Sequence, residues 1–332
     1  MEADMSPLDP RDLNFDTCDR LTAIDDIVRR LDPAGAGIVL DVGGHPGYLA
    51  RLLKPRRVIT LDGAPISRKP YVRGTGTGLP FSSNSIDIAV ASDTLEHVPP
   101  EARERFLAEI WRVTSRYALL AGPYDTAGVA LAEARLCDLI NDMRAAPDPW
   151  LEEHDRHGLP DLTATRTFME HRGGRCAVIP SGDLVVWLGM FCFSALADLV
   201  PGAPEVWSEF VRAFNTHFRS APPCHASYRH LLLVAKGQAP LPELPAPGPP
   251  PNEANIEAQV DALGTLFRGL RDALVSLATQ REASSVESAH LQQMERALQH
   301  QESVIRSLRE RLAAYENSAL HRALHRLMGR ES

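Results

Sequence analysis

Short apolar runs alternate with amphipathic stretches along most of the chain. Ile38–Asp41, Val58–Leu61, Ile86–Ala91, Tyr117–Ala121, Cys176–Pro180 and Leu231–Ala235 read as strands. Apolar residues recur at helical spacing over Arg20–Leu31, Tyr48–Leu53, Pro100–Val113, Ala127–Met143 and Leu184–Val200. Strands separated by helices predict an α/β fold, doubly wound around a mostly parallel sheet covered on both faces. In such sheets a ligand sits at the carboxyl ends of the strands.

The pattern changes at Gln238–Asn255, QAPLPELPAPGPPPNEAN, which is rich in proline and lacks apolar periodicity. It reads as a semi-extended linker after a globular part spanning residues 1–237. Beyond it, Ile256, Val260, Leu263, Phe267, Leu270, Leu274 and Leu277 alternate spacings of four and three, an a/d seam. The seam fails across Arg281–Ser288 and resumes in a shifted register from Leu291 to Tyr315. A helix over 256–316 would be about 90 Å long and could not bury its stripe alone. A C-terminal coiled coil joining two copies of the chain is expected, with a tether to another protein as the alternative. The last segment, 317–332, interleaves Leu320, Leu324 and Leu327 with His321, Arg322, His325, Arg326 and Arg330. This basic amphipathic tail suits peripheral contact with an anionic membrane surface.

Composition excludes several classes. Hydrophobic residues make up 44% and charged residues 23% of 332, ordinary for a globular protein. The net charge of −8 argues against nucleic acid as a partner, which calls for a basic footprint. Five dispersed cysteines without a CxxC pair suggest reduced thiols and a cytoplasmic location. Cys224 and His225 lack partners at ligand spacing, and no metal site is expected. The acidic N-terminus has no apolar h-region, so no signal peptide is read there. Leu184–Val200 is slightly short for a membrane span and contains Asp198, which favours a buried helix.

The most informative chemistry lies in Ile38–Leu53, IVLDVGGHPGYLARLL. A strand ends in Asp41, a turn carries Gly43, Gly44 and Gly47, and a helix begins at Tyr48. Dinucleotides and S-adenosylmethionine both use a strand, a glycine turn and a helix. A dinucleotide needs G-x-G-x-x-G, and D-V-G-G-H-P-G does not give that spacing. A carboxylate at Asp41 would repel a pyrophosphate but suits a cationic amino or sulfonium ligand. Val58–Leu61 then ends in Asp62, an acid placed to accept ribose hydroxyl hydrogens.

Downstream, Leu79-Pro80-Phe81, Asp87 and Leu95-Glu96-His97-Val98 complete a pattern, with Ile86 in the usual aromatic place. On these residues the chain resembles class I S-adenosylmethionine-dependent methyltransferases of the methyltransferase type 11-like group. The resemblance is close over Ile38–Pro123 and looser up to Gly237. It implies a Rossmann-like seven-stranded sheet in which Tyr228–Gly237 is the antiparallel strand. It implies S-adenosylmethionine as cofactor, with Asp41, Gly43 and Gly47 around the methionine part. Gly44 neighbours His45, which replaces the motif's middle glycine. Asp62 matches the ribose acid. Thr75 stands where the family often has an aspartate for the adenine amino group, so its hydroxyl or the backbone at Gly76 would serve. Ser92, Asp93 and Thr94 would border cofactor and acceptor. Asp87 more simply holds the start of its strand, and Glu96 and His97 open the next helix.

Methyl transfer needs a base only when the acceptor carries a proton of high pKa, as a sugar hydroxyl does. The acceptor lid is expected in the insertion 123–174, where Glu152–Pro160, EEHDRHGLP, holds a dense titratable cluster. His154, His157 and, on the preceding motif, His97 are the candidate catalytic residues. Trp150, Phe168 and Met169 are candidate cleft walls. A metal on Asp155, His157 and Asp161 is the weaker use of the same cluster. A methyltransferase domain, proline linker, coiled coil and basic tail resemble bacterial enzymes of cell-surface polysaccharide biosynthesis. The expected function is O-methylation of a sugar in a surface glycan or glycolipid precursor, in the cytoplasm with peripheral contact at the inner membrane. The alternatives are a methyltransferase acting on a small-molecule or lipid acceptor, a non-catalytic cofactor-fold scaffold acting through its coiled coil, and a nicotinamide-dependent oxidoreductase.

Overall fold

The computed structural model describes residues 8–66, 70–126, 128–143, 148–197, 203–217, 226–243 and 253–316. Cys224, His225, most of the proline-rich linker and the basic tail at 317–332 lie outside them. The chain divides into two compact units, Met1–Arg271 and Asp272–Ser332.

The first unit is built on a seven-stranded sheet. Its strands are β1 (Ile38–Val42), β2 (Arg57–Asp62), β3 (Tyr71–Arg73), β4 (Ile86–Ser92), β5 (Thr114–Pro123), β6 (Arg175–Asp183) and β7 (Ser227–Ala235). They lie in the order β3-β2-β1-β4-β5-β7-β6. All pairs from β3 to β5 are parallel, whereas β7 runs antiparallel to both β5 and β6. The order reverses direction between β1 and β4, so a crevice opens at their carboxyl ends. Asp87 is the polar interruption in β4, and its Oδ2 accepts from the Ile38 amide at 2.8 Å. That bond ties the starts of β4 and β1 together, the structural role expected of it.

Helices follow from apolar spacing and caps. In α1 (Phe15–Leu31), Cys18, Leu21, Ile24, Val28 and Leu31 share one buried stripe. Asn14 Oδ1 caps it by accepting from the Thr17 amide at 2.7 Å. This stripe and Leu49 of α2 (Tyr48–Leu52) pack on one sheet face with Val39, Ile88, Val90 and Leu233. On the other face α3 (Pro100–Val113) buries Phe106, Leu107, Ile110 and Val113 against Leu40, Ala89 and Leu120. Pro100 supplies its fixed φ at the first turn of α3, where its missing N–H costs nothing.

Between β5 and β6 lie α4 (Val129–Met143), α5 (Pro149–His157) and α6 (Leu162–Glu170). After β6 come α7 (Leu184–Ala197) and α8 (Ala203–His217). The apolar pattern had not resolved β3, α5, α6 or α8. β3 has three residues, and α5 buries only His154. Among the described residues no helix is long and apolar enough to cross a membrane.

The last helix, α9 (Glu253–Glu316), is continuous through Arg281–Ser288, where the heptads fail. Its beginning belongs to the first unit. Ile256, Val260 and Phe267 are buried there. Ile256 lies beside Gly128 at the start of α4, and the Phe267 ring meets Phe193 of α7 edge-on at 4.9 Å. Arg135 of α4 pairs with Asp261 at 2.8 Å, and Arg271 pairs with Asp142. Folding within the chain thus removes Ile256, Val260 and Phe267 from water, while Leu270 and Leu277 of the same seam stay exposed.

Candidate active site

Asp41 is the last buried polar residue of β1 and is 3% exposed. The turn after it folds back over the end of β2, with the Gly43 amide donating to the Leu61 carbonyl at 2.8 Å. Gly43 has φ +75°, and a Cβ there would overlap the Thr94 side chain. A Cβ on Gly44 would overlap the Asp41 carboxylate. Both positions therefore require glycine, one for its backbone conformation and one for close approach. Gly47 closes the turn through its amide to the Gly44 carbonyl at 2.6 Å and precedes α2.

His45 stands where the motif has its middle glycine, and it does not take a positive φ; the His45–Pro46 peptide bond is cis. Its side chain is exposed, while its amide donates to Asp62 Oδ2 at 3.0 Å. The Ala64 amide donates to Asp62 Oδ1 at 2.8 Å. Each carboxylate oxygen keeps a lone pair for a ligand hydroxyl.

These residues line one cavity of about 590 Å³, a size ordinary for a small-molecule site. Of the sequence candidates it gathers Asp41, Gly43, Gly44, Asp62, Ser92, Asp93, Thr94, His97 and His154. Gly47 shapes the turn without lining the cavity. Thr75 and Gly76 do not line it: Thr75 Oγ1 meets Thr77 Oγ1 at 3.2 Å, and Gly76 packs on the Phe106 ring. His157, the last residue of α5, is also outside the lining, whereas His154 lines it. Asp155 and Asp161 do not line the cavity either, and Asp161 caps α6 by accepting from the Ala164 amide at 2.7 Å. Trp150 lines the cavity while 62% exposed, whereas Met169 is fully buried and Phe168 packs against the core.

The floor of the cavity is a charge cluster that sequence spacing did not reveal. Arg229 of β7 is 3% exposed and clamps two carboxylates. Its Nη1 and Nη2 donate to Asp16 at 2.7 and 2.8 Å, and Nε and Nη2 donate to Asp93 at 2.9 and 2.7 Å. Arg20 Nη1 adds a bond to Asp93 Oδ2 at 2.8 Å. The two guanidinium groups outweigh burial and hold the Asp93 carboxyl well below the usual carboxylate range. Asp93 takes φ +43°, with its amide on the Ala121 carbonyl at 2.8 Å. Its carboxylate thus organises the floor. Trp187 stacks on Tyr228 at 3.7 Å and donates through Nε1 to Asp16 at 3.0 Å.

The same cavity is also lined by two imidazoles, His97 and His154. Leu95–His97 form a short 3₁₀ turn, and α3 begins only at Pro100. Glu96 and His97 therefore do not open α3 as expected. Glu96 points inward and is 1% exposed, with Oε1 lacking a hydrogen-bond partner. Burial, followed by the nearby Asp93 charge, pushes its carboxyl well up. His97 Nδ1 pairs with Glu153 at 2.9 Å and His154 Nδ1 with Glu133 at 3.1 Å. Tyr228 also donates to Glu133, at 2.8 Å. The two rings lie 4.7 Å apart, and Trp150 meets His97 edge-on at 5.0 Å.

Two observations test the fit of S-adenosylmethionine. Burial pushes the Asp41 carboxyl up to about 7, against the Arg20 charge and with Asp62 adding to the rise. Ser92 Oγ is buried at the cavity without a hydrogen-bond partner. A ligand with a cationic amino acid end and polar atoms would satisfy both.

Residues 40–121 match a family described as a methyltransferase domain. An uncharacterized methyltransferase of Mycobacterium sp. (strain KMS) is 37% identical over 76 residues, covering 20% of this chain and 30% of that protein. One of Mycobacterium avium (strain 104) is 30% identical over 128 residues, covering 32% and 50%. The chain thus spans half or less of these curated relatives' length. Among solved structures, an S-adenosylmethionine-dependent methyltransferase of Archaeoglobus fulgidus aligns with TM-score 0.40 and 15% identity over 65% of this chain and 94% of its own. The magnesium protoporphyrin IX methyltransferase of Synechocystis PCC 6803 with bound S-adenosylhomocysteine aligns with TM-score 0.41 and 14% identity, over 68% and 89%.

Proposed function

We propose that this chain is an S-adenosylmethionine-dependent O-methyltransferase. The observation that carries the reading is that Asp41, its glycine turn and Asp62 open onto the same cavity as His97, His154 and Trp150. When bound, the cofactor supplies an electrophilic methyl group on a sulfonium that leaves as a neutral thioether. Asp41 would hold the cationic amino acid end, Asp62 the ribose hydroxyls, and Ser92 a polar atom of the cofactor. The imidazole wall is where a hydroxyl acceptor would lose its proton, and positioning the acceptor against the methyl group does much of the rest.

The acceptor we propose is a sugar hydroxyl of a surface glycan or glycolipid precursor. Exposed Trp150 at the cavity supports this, because an indole face suits the apolar face of a sugar ring. Titration calorimetry with S-adenosylhomocysteine tests the cofactor reading. Stoichiometric binding that weakens at least about tenfold in Asp62→Ala is expected, from loss of a hydrogen-bonded charged group. No binding, or binding indifferent to Asp62, overturns it. A methyl group missing from surface glycans in cells lacking the protein, read by mass spectrometry, would identify the acceptor.

We also propose that the chain self-associates through the later part of α9. Leu291, Met294, Leu298, Ile305 and Leu308 are exposed there at near-heptad spacing. Sedimentation equilibrium is expected to give a dimer that Leu298→Asp dissociates, and a monomer at all concentrations would overturn the idea.

A further inference from the structure

The imidazole wall contains more than a methyl transfer between two organic molecules requires. Glu96, His97 and His154 each offer a donor atom, and these atoms lie within 4.8 Å of one another. His154 and Glu96 are more than nine-tenths buried, yet His154 Nε2 and Glu96 Oε1 have no hydrogen-bond partner. Orphaned buried polar atoms are uncommon, and two facing the same cavity ask for a common occupant.

The outer partners point the same way. His97 and His154 each give Nδ1 to a carboxylate, Glu153 and Glu133. A carboxylate on Nδ1 fixes the tautomer that turns the Nε2 lone pair outward, the arrangement that surrounds metal-ligating histidines. Tyr228 holds Glu133 in place from the other side. Two imidazoles and one carboxylate form a donor set suited to first-row transition ions and poorly suited to magnesium or calcium. Donors about 2.1 Å from a shared ion lie up to about 4.2 Å apart, so modest rotamer adjustment closes the group.

We propose that Glu96, His97 and His154 bind one divalent first-row transition ion on the acceptor side of the cavity. Three protein donors leave coordination positions open to acceptor oxygens. Ion binding itself stands on these side chains alone, while its service to an acceptor rests on the methyl-transfer reading. A second consequence is selectivity: vicinal oxygens, as in a sugar diol, could occupy two adjacent open positions.

The test titrates Co²⁺ into the full chain after chelator treatment and removal of the chelator, without cofactor. One ion per chain is expected, with a visible absorption band stronger than that of aqueous Co²⁺ and displacement by Zn²⁺. Glu96→Gln and His97→Gln should each weaken binding at least about tenfold. His171→Gln, on an exposed histidine, should leave it unchanged. Circular dichroism and thermal melting of each variant establish that it is folded, and His97→Gln, at a half-buried position, keeps the test decisive if Glu96→Gln does not fold. Absence of stoichiometric binding overturns the proposal, as does binding equally weakened by His171→Gln. Calorimetry with S-adenosylhomocysteine on the same preparation is read separately, so loss of the metal site and loss of the cofactor reading are distinguishable.

Discussion

The two walls of the cavity are made in different ways. The glycine-turn wall comes from two consecutive strand ends: Asp41 of β1 with Gly43 and Gly44 just beyond it, and Asp62 of β2. Its key bonds are backbone ones, such as the Gly43 amide to Leu61 and the His45 amide to Asp62. The imidazole wall draws Glu96 and His97 from one turn, Trp150 and His154 from α5, and Tyr228 from β7. Its bonds join side chains far apart in sequence, such as His154 to Glu133 and Tyr228 to Glu133. A wall set by local backbone should tolerate change in its exposed side chains, such as His45. A wall set by distant side chains depends on every member.

Arg229 clamps Asp16 and Asp93 at the cavity floor, so its loss should have the largest effect. Arg229→Ala leaves Asp16 and Asp93 buried without their main counter-charge. A destabilisation of about 3–5 kcal/mol is expected in urea unfolding of the first unit. A change near zero would mean that the floor is not a structural clamp.

The next test separates the walls by pH. The Asp41 carboxyl sits at about 7 when folded, above its unfolded value, so the folded state holds its proton over a wider range. This contribution favours the fold at low pH and is lost as pH rises through 7. A cationic ligand binds the ionised carboxylate and reverses that sense. Affinity for S-adenosylmethionine should rise about tenfold from pH 6 to pH 8. Asp41→Asn should flatten the dependence, and a rise of the same size in that variant would place its origin elsewhere.

The smallest effect is expected at the rim. Trp150→Ala should raise the acceptor KM by about two- to tenfold while leaving S-adenosylhomocysteine affinity unchanged. A matching loss of cofactor affinity would mean that the walls are not independent.

Legibility followed the same division. The strands β1, β2, β4, β5, β6 and β7 could be read because each carries an apolar run, and Asp41, Asp62 and the glycines because a tight turn constrains residue type locally. β3 escaped because three residues cannot establish a period. Thr75 and Gly76 lie outside the cavity lining, and the loop after β3 packs Gly76 on Phe106. Of the histidines in EEHDRHGLP, the sequence could not separate His154 from His157. Only the orientation of α5 turns one into the cavity and leaves the other outside. Glu133 and Arg229 carried no spacing signal, since their partners lie on other elements.

The sequence by itself determined an α/β sheet with a ligand turn after its first strand, because periodicity and glycine placement are local properties of the chain. It also determined a long C-terminal helix. The tertiary structure alone decided that Ile256, Val260 and Phe267 pack inside the first unit. It alone buried Glu96 beside His97 and His154 and set Arg229 between Asp16 and Asp93. Those outcomes depend on which surfaces meet when helices and sheet close together, and burial then fixes which charges and donor atoms must find one another.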